Sequence, residues 1–221
     1  VMSSIKWGII GPGNIAHKFA DGLKESFSGQ LIAIASTSEE RRRNFGDKYN
    51  ITDSFRFSNY QDLLNCNEVD AVYISTPHTL HAEWTIKAAG KGKHVLCEKP
   101  AAINLKEGQQ IIEVVRQAGV FYMEGFMYRC HPQIPALLKI IKEDRIGQIK
   151  KITSSFGFDM GKIIPESRLF RKDLAGGAIL DVGLYPISFS RLIAGTALGK
   201  KFINPISLTG QARIGDSGVD I

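Results

Sequence analysis

Ile5-Lys6-Trp7-Gly8-Ile9-Ile10-Gly11-Pro12-Gly13-Asn14-Ile15-Ala16 is the stretch whose reading decides the fold. A short apolar run that stops on Gly-x-Gly-x-x-Ala and passes into a helical pattern predicts strand, tight turn and helix. Gly11 permits a sharp backbone turn, Gly13 presents no side chain to a pyrophosphate, and Ala16 lets the helix lie close against the strand. The helix start at Asn14 and Ile15 offers N–H groups and the positive end of a dipole, both suited to phosphate. The same residues also fit a plain strand-to-helix turn, so the reading depends on the rest of the chain.

The rest of the first half alternates. Ile15–Glu25 carries a helical pattern, and Leu31–Ala35 is a continuous apolar run of the kind covered on both faces of a sheet. A helix is predicted over Glu39–Tyr49, a short strand over Phe55–Phe57 and a short helix over Tyr60–Leu64. Ala71–Thr76 reads as a buried strand stopped by Pro77, His78–Gly90 as a helix, and His94–Cys97 as a further strand. Asn104 caps a helix over Leu105–Ala118 that Gly119 closes, and Val120–Met123 is the last strand of the set. Strands and helices alternating at this spacing predict an α/β fold with a doubly wound parallel sheet. Ligands of such sheets sit at the carboxyl ends of the strands. Those ends are Gly11–Gly13, Ser36–Ser38, Ser75–His78 and Glu98–Pro100, where the polar residues gather.

Beyond that point the character changes. A helix is expected over His131–Arg145 and a β-rich segment over Ile149–Phe158, better suited to an antiparallel sheet. A loop is expected over Ile163–Ala175, a helix over Gly176–Ile193 and a strand or two within Ile203–Ile214. Residues 1–126 therefore read as a Rossmann dinucleotide-binding domain, and 127–221 as part of a substrate and dimerisation domain.

Composition narrows the class. The 221 residues are 43% hydrophobic and 23% charged, ordinary for a globular protein, and the formal net charge is +6. The densest basic run, Glu39-Glu40-Arg41-Arg42-Arg43, is diluted by its own acids, which argues against nucleic acid as a partner. Cys66, Cys97 and Cys130 show no paired spacing, which predicts reduced thiols, a cytoplasmic setting and no zinc site. No apolar stretch reads as membrane-spanning and no signal peptide is recognised, so no membrane partner is expected.

The strand ends also carry candidate chemistry. An NAD-selective fold places an acid about 20 residues past the glycine turn, at the ribose 2′-hydroxyl. Here Ser36, Thr37 and Ser38 stand there, followed by Arg41 and Arg42, which suits the 2′-phosphate of NADP, with NAD as the alternative. Ser75, Thr76, Pro77 and His78 are placed to line the nicotinamide pocket. In Glu98-Lys99-Pro100 the lysine is placed to bond a ribose or substrate hydroxyl and to lower the pKa of a nearby acid. Asp181 and Tyr185, four apart on an expected helix, share a face, and Gly183 between them suggests close approach of a backbone or ligand. A tyrosine near a lysine ammonium is suited to general acid–base work at a hydroxyl or carbonyl carbon.

The residues Gly11-Pro12-Gly13-Asn14-Ile15-Ala16, Ser75-Thr76-Pro77, Glu98-Lys99-Pro100 and Gly176-Gly177-x-x-x-Asp181-x-Gly183-x-Tyr185, in this order, closely resemble the Gfo/Idh/MocA oxidoreductase family. Met123–Pro132 is most similar to its branch of dimeric dihydrodiol dehydrogenases and NADP-dependent xylose dehydrogenases. The resemblance implies a Rossmann domain followed by an α/β domain with a large, mostly antiparallel sheet. It implies hydride transfer between a nicotinamide cofactor and a sugar, polyol or diol, with Lys99, Asp181 and Tyr185 as the catalytic group. It places Arg168 near cofactor or substrate, and implies a homodimer or homotetramer where the second sheet is complete. Members of the family continue past the position of Ile221, so the chain is expected to be incomplete at its C-terminal end. A cofactor-binding sensor without catalysis, or an inactive remnant, is the competing expectation, against which the intact Lys99, Asp181 and Tyr185 weigh.

Overall fold

Six strands form one parallel sheet in the computed structural model, which describes residues 4–221. They are β1 (Ile5–Ile10), β2 (Gly29–Ala35), β3 (Arg56–Phe57), β4 (Ala71–Ile74), β5 (His94–Cys97) and β6 (Tyr122–Glu124). Their order across the sheet is β3-β2-β1-β4-β5-β6, every neighbouring pair parallel. Successive connections wind outward from β1 in one direction and then return to its other side at β4. The crevice between the ends of β1 and β4 is therefore the topological switch point, where ligands of open α/β sheets bind.

Helices cover both faces, which is why β4 is buried at all four positions and reads as an unbroken apolar run. The side chains alternate between two cores. Ile9, Ile34 and Tyr73 pack with Ala16 and Ala20 of α1 (Asn14–Lys24) and Phe45 of α2 (Glu39–Lys48). Ile10, Ala33, Ala35, Val72 and Ile74 face Leu63 and Leu64 of α3 (Tyr60–Asn65) and Ala88 of α4 (His81–Gly90). Ile111 and Val115 of α5 (Leu105–Ala118) close over α4 through Ala82 and Ala89. Caps follow the sequence: Ser38, Asn59 and Asn104 each accept a backbone N–H of their own helix, and Gly119 ends α5 in the left-handed region.

The contacts divide the chain between Gly125 and Phe126 into two compact units. The second unit contains α6 (Gln133–Lys142) and α7 (Leu184–Ala197), preceded by 3-10 turns at Met127–Cys130, Arg168–Phe170 and Lys172–Leu174. Two expectations are corrected here. The antiparallel sheet is not formed among the described residues: residues 148–160 carry no ladder, and the isolated bridge is Ile214–Asp220. A β-rich sequence becomes a strand only when a partner takes up its backbone groups, and none lies alongside. The helix expected over Gly176–Ile193 is present, running without a break from Ala178 through a π-helical turn, Ile179–Gly183, into α7. Finally, the run Lys172–Ala197, 26 residues with mean hydropathy 1.2 in its most apolar window, is by length and composition long enough to cross a membrane. The core helix of a soluble protein passes the same test.

Candidate active site and its relatives

The turn after β1 is built around Gly11, whose φ of 87° lies in the left-handed region. A Cβ there would come within 3.1 Å of Thr76 Cγ2 and 3.2 Å of the Ser75 carbonyl. Ser75 closes the contact by donating its hydroxyl to the Gly11 carbonyl at 2.7 Å. Two predicted site elements, Gly11 and Ser75–Thr76, thus touch across the switch point. Gly13 precedes α1, and a Cβ added to it would meet nothing within 4 Å. No side chain caps α1 and no acid stands in its first turn, so the N–H end at Asn14 and Ile15 faces open space. The buried Thr76 hydroxyl lacks a protein partner. Open room beside Gly13, an uncapped helix end and an unsatisfied hydroxyl together fit a dinucleotide phosphate.

At the end of β2, Ser36 is buried, and its hydroxyl accepts the Ser38 N–H at 3.2 Å. Arg42 Nη1 donates to the Ser36 carbonyl at 2.8 Å, which braces the loop. Thr37 and Arg41 are exposed, the positions from which a 2′-phosphate can be met. Tyr60, whose sequence context predicts only a helix, interacts with both. Burial pushes its phenol up, partly offset by a hydrogen bond with Thr37 and by the Arg41 charge.

The loop after β5 is held from several sides. Tyr73 donates to Glu98 Oε1 at 2.6 Å while its ring stacks on Phe19 at 4.1 Å between centroids. Glu98 Oε2 also accepts the Lys99 N–H at 3.3 Å. The Lys99–Pro100 peptide is cis. Ala101 donates its N–H to Glu124 Oε1 at 2.8 Å, and His81 bonds the Pro100 carbonyl at 2.7 Å. Pro77 opens a 3-10 turn, His78–Leu80, in which His78 is buried with its ring 5.8 Å from that of His81. Tyr73, His81 and Glu124 are site residues that the motifs do not reveal. Their signal is legible only in register, since Tyr73 and Glu124 lie on the strands flanking β5.

In the second unit Asp181 lies in the π-helical turn and Tyr185 in the first turn of α7. Asp181 is 8% exposed and takes an ion pair from Arg168 Nη2 at 3.1 Å, which brings two predicted site residues together. A buried carboxylate needs such a partner. Tyr185 sits among the rings of Phe126, Tyr128 and Phe156, 5.6, 6.2 and 5.2 Å away. Asp181 lines one pocket of about 540 Å³ with Phe158 and Leu169, and Tyr185 another of about 540 Å³ with Ile134 and Phe189. Phe156 lines both pockets. Protein atoms crowd Gly176 and Gly177 more closely than Gly183. A Cβ would fall 2.5 Å from the Arg168 carbonyl at the former and 2.1 Å from Asp220 Oδ1 at the latter. At Gly183 the nearest atom would be 3.4 Å away, an ordinary contact. Among the described residues no group of three or more His, Cys, Asp or Glu is placed to hold a metal ion.

Comparison with known proteins agrees with this geometry. Residues 5–126 match the model of an oxidoreductase family with an NAD-binding Rossmann fold, and 135–203 match the GFO/IDH/MocA C-terminal domain. Trans-1,2-dihydrobenzene-1,2-diol dehydrogenase of Xenopus tropicalis is 31% identical over 217 residues, covering 97% of this chain and 62% of that protein. D-xylose 1-dehydrogenase (NADP(+)) 2 of Haloferax volcanii is 36% identical over 190 residues, covering 86% and 57%. The crystal structure of KijD10, a 3-ketoreductase from Actinomadura kijaniata in complex with NADP and TDP-benzene, superposes with a TM-score of 0.76 at 34% identity, covering 87% and 58%. The chain thus spans about three fifths of the length of these relatives. With the switch-point turn, the loop after β5 and both family models in agreement, the chain belongs to the GFO/IDH/MocA oxidoreductase family.

Proposed function

We propose that this chain carries the nicotinamide-binding and catalytic residues of an NADP-dependent oxidoreductase acting on a hydroxyl or carbonyl carbon of a small sugar, polyol or diol. The observation that carries the proposal is the phosphate cradle at the switch point. Gly11 is locked against Ser75 and Thr76, Gly13 is open, and Lys99 projects from the next strand end. The named activities of the relatives, on a dihydrodiol, on xylose and on a keto-sugar nucleotide, support the substrate class.

When bound, the cofactor supplies the site for the hydride. Gly13, Asn14 and Ile15 present backbone N–H groups to its phosphates, while Ser36, Thr37 and Arg41 meet the 2′-phosphate. Ser75, Thr76, Pro77, His78 and Glu98 line its other half. In the oxidising direction the Tyr185 oxygen takes the hydroxyl proton of the substrate, and in the reducing direction it returns it. Lys99 offers its ammonium to the reacting oxygen of the substrate. Asp181, oriented by Arg168, positions the substrate.

Turnover of NADPH against a panel of sugars, diols and keto-sugars is the test. Tyr185→Phe and Lys99→Met are each expected to lower kcat by roughly 10²–10⁴-fold, with NADP still bound. Tight NADP binding with no turnover on any substrate, and variants indistinguishable from the parent, would instead favour a sensor. We further propose a reducing, cytoplasmic setting, on three free cysteines. A homo-oligomer is proposed on the apolar side chains the second unit exposes, and light scattering after size exclusion reads the mass directly.

A further inference from the structure

One peptide beside Lys99 is gripped at both ends by ionisable side chains. The carbonyl of Pro100 lies 2.7 Å from His81 Nδ1, and the N–H of the same peptide, at Ala101, donates to Glu124 Oε1 at 2.8 Å. The other ring nitrogen, His81 Nε2, lies 2.8 Å from the carbonyl of Thr76, and the residue is 1% exposed. Both of these oxygens belong to carbonyls, which only accept. A neutral imidazole has one N–H and one lone pair, so in either tautomer it would set a lone pair against a carbonyl oxygen at contact distance. In a buried site that opposition is costly, whereas the imidazolium donates to both.

We propose that His81 is held doubly protonated and acts as a positioning residue. It ties the Thr76 peptide at the end of β4 to the Pro100 peptide after β5, and with Glu124 it sets the backbone from which Lys99 projects. The role toward Lys99 rests on the nicotinamide-dependent reading above; the protonation state does not. Of the surrounding charges, the carboxylates of Glu98 and Glu124 favour a cation and the Lys99 ammonium opposes it. Glu124 holds the far end of the same peptide, Glu98 and Lys99 precede it in the loop, and His78 lies in the preceding turn. The buried residues of α5, packed over α4, are Ile111 and Val115, neither of which titrates. Charge-assisted bonds to two carbonyls, with a carboxylate one peptide away, offset the cost of burying the ring's charge.

A long-range 1H–15N spectrum of the full chain labelled at histidine, assigned by loss of signals in His81→Gln, reads the state directly. Two protonated ring nitrogens are expected for His81 at neutral pH. One unprotonated nitrogen at neutral pH would overturn the proposal. Because this spectrum needs no substrate, it separates failure here from failure of the proposed activity. The positioning role is read by hydrogen exchange at Ala101, expected to be at least ~10-fold faster in His81→Gln while the β1 and β4 amides stay protected. Unchanged exchange at Ala101 would show that the ring does not hold the loop.

Discussion

The two units solve the burial problem differently. In the first, each strand finds a neighbour and each sheet face finds a helix, so Ile9, Ile10, Ile34, Leu63 and Ile74 are all fully buried. In the second, two α-helices and a series of turns have no sheet to cover among the described residues. Of the twenty large apolar side chains exposed among those residues, fourteen lie from Met127 onward, in fewer than half the positions. A parallel sheet satisfies its own backbone and hides both faces, whereas a β-rich segment without a partner does neither. The site residues divide along the same line. The cofactor cradle stands on the rigid element, while Asp181 and Tyr185 stand on helical turns flanked by open apolar pockets.

The sharpest way to break that contrast is by truncation of matched aromatic residues. Phe45→Ala in the first unit is expected to cost about 3–5 kcal/mol, because a fully packed ring leaves a cavity. Phe158→Ser, at a ring 57% exposed, is expected to change stability by no more than about 0.5 kcal/mol. Urea denaturation monitored by circular dichroism measures both, and equal costs would erase the distinction. Next in size, Gly11→Ala should cost about 1–3 kcal/mol through its positive φ and the close Ser75–Thr76 contact. The same variant should weaken NADP binding, which calorimetric titration would measure.

Thiol labelling sharpens the comparison kinetically. Cys130, exposed in the second unit, should react first with a disulfide reagent. Cys66 should follow slowly, its thiol pushed up by burial and by Glu68. Burial in the sheet core raises Cys97 to about 12, so it should label only on unfolding. Labelling of Cys97 before Cys66 would mean that the sheet opens locally.

The smallest expected effect is a pH dependence. Burial, then the Lys48 ammonium, holds His17 below its ordinary value of 6.5, with Asp21 acting weakly the other way. The unfolded chain therefore binds a proton that the folded chain refuses, and stability should decline as pH falls below about 6.5. Thermal melts at steps from neutral to mildly acidic pH should show that slope reduced in His17→Gln. An unchanged slope would show that His17 does not set it.

How much is legible in the sequence depends on the range of the interactions involved. The ten residues from Ile5 to Asn14 announce strand, turn and helix because glycine spacing and apolar runs are local signals, and β1, Gly11 and α1 stand where they are expected. Helix ends at Ser38, Asn104 and Gly119 are readable for the same reason. The bond from Arg42 back to the Ser36 carbonyl is not readable there, because nothing in the local pattern records it. Counting residues places Asp181 and Tyr185 on one helical stretch, but no count reveals that the stretch passes through a π-helical turn between them.

By itself the sequence determined the alternation of strands and helices, the glycine turn and the family to which they belong, because each depends on residues close together in the chain. Only the tertiary structure decided that Gly11 must lack a side chain to clear Ser75 and Thr76, that Arg168 neutralises Asp181, and that His81 and Glu124 grip one peptide beside Lys99. Those contacts join residues 13 to 65 positions apart, and no periodicity records which distant atoms folding will bring within hydrogen-bond reach.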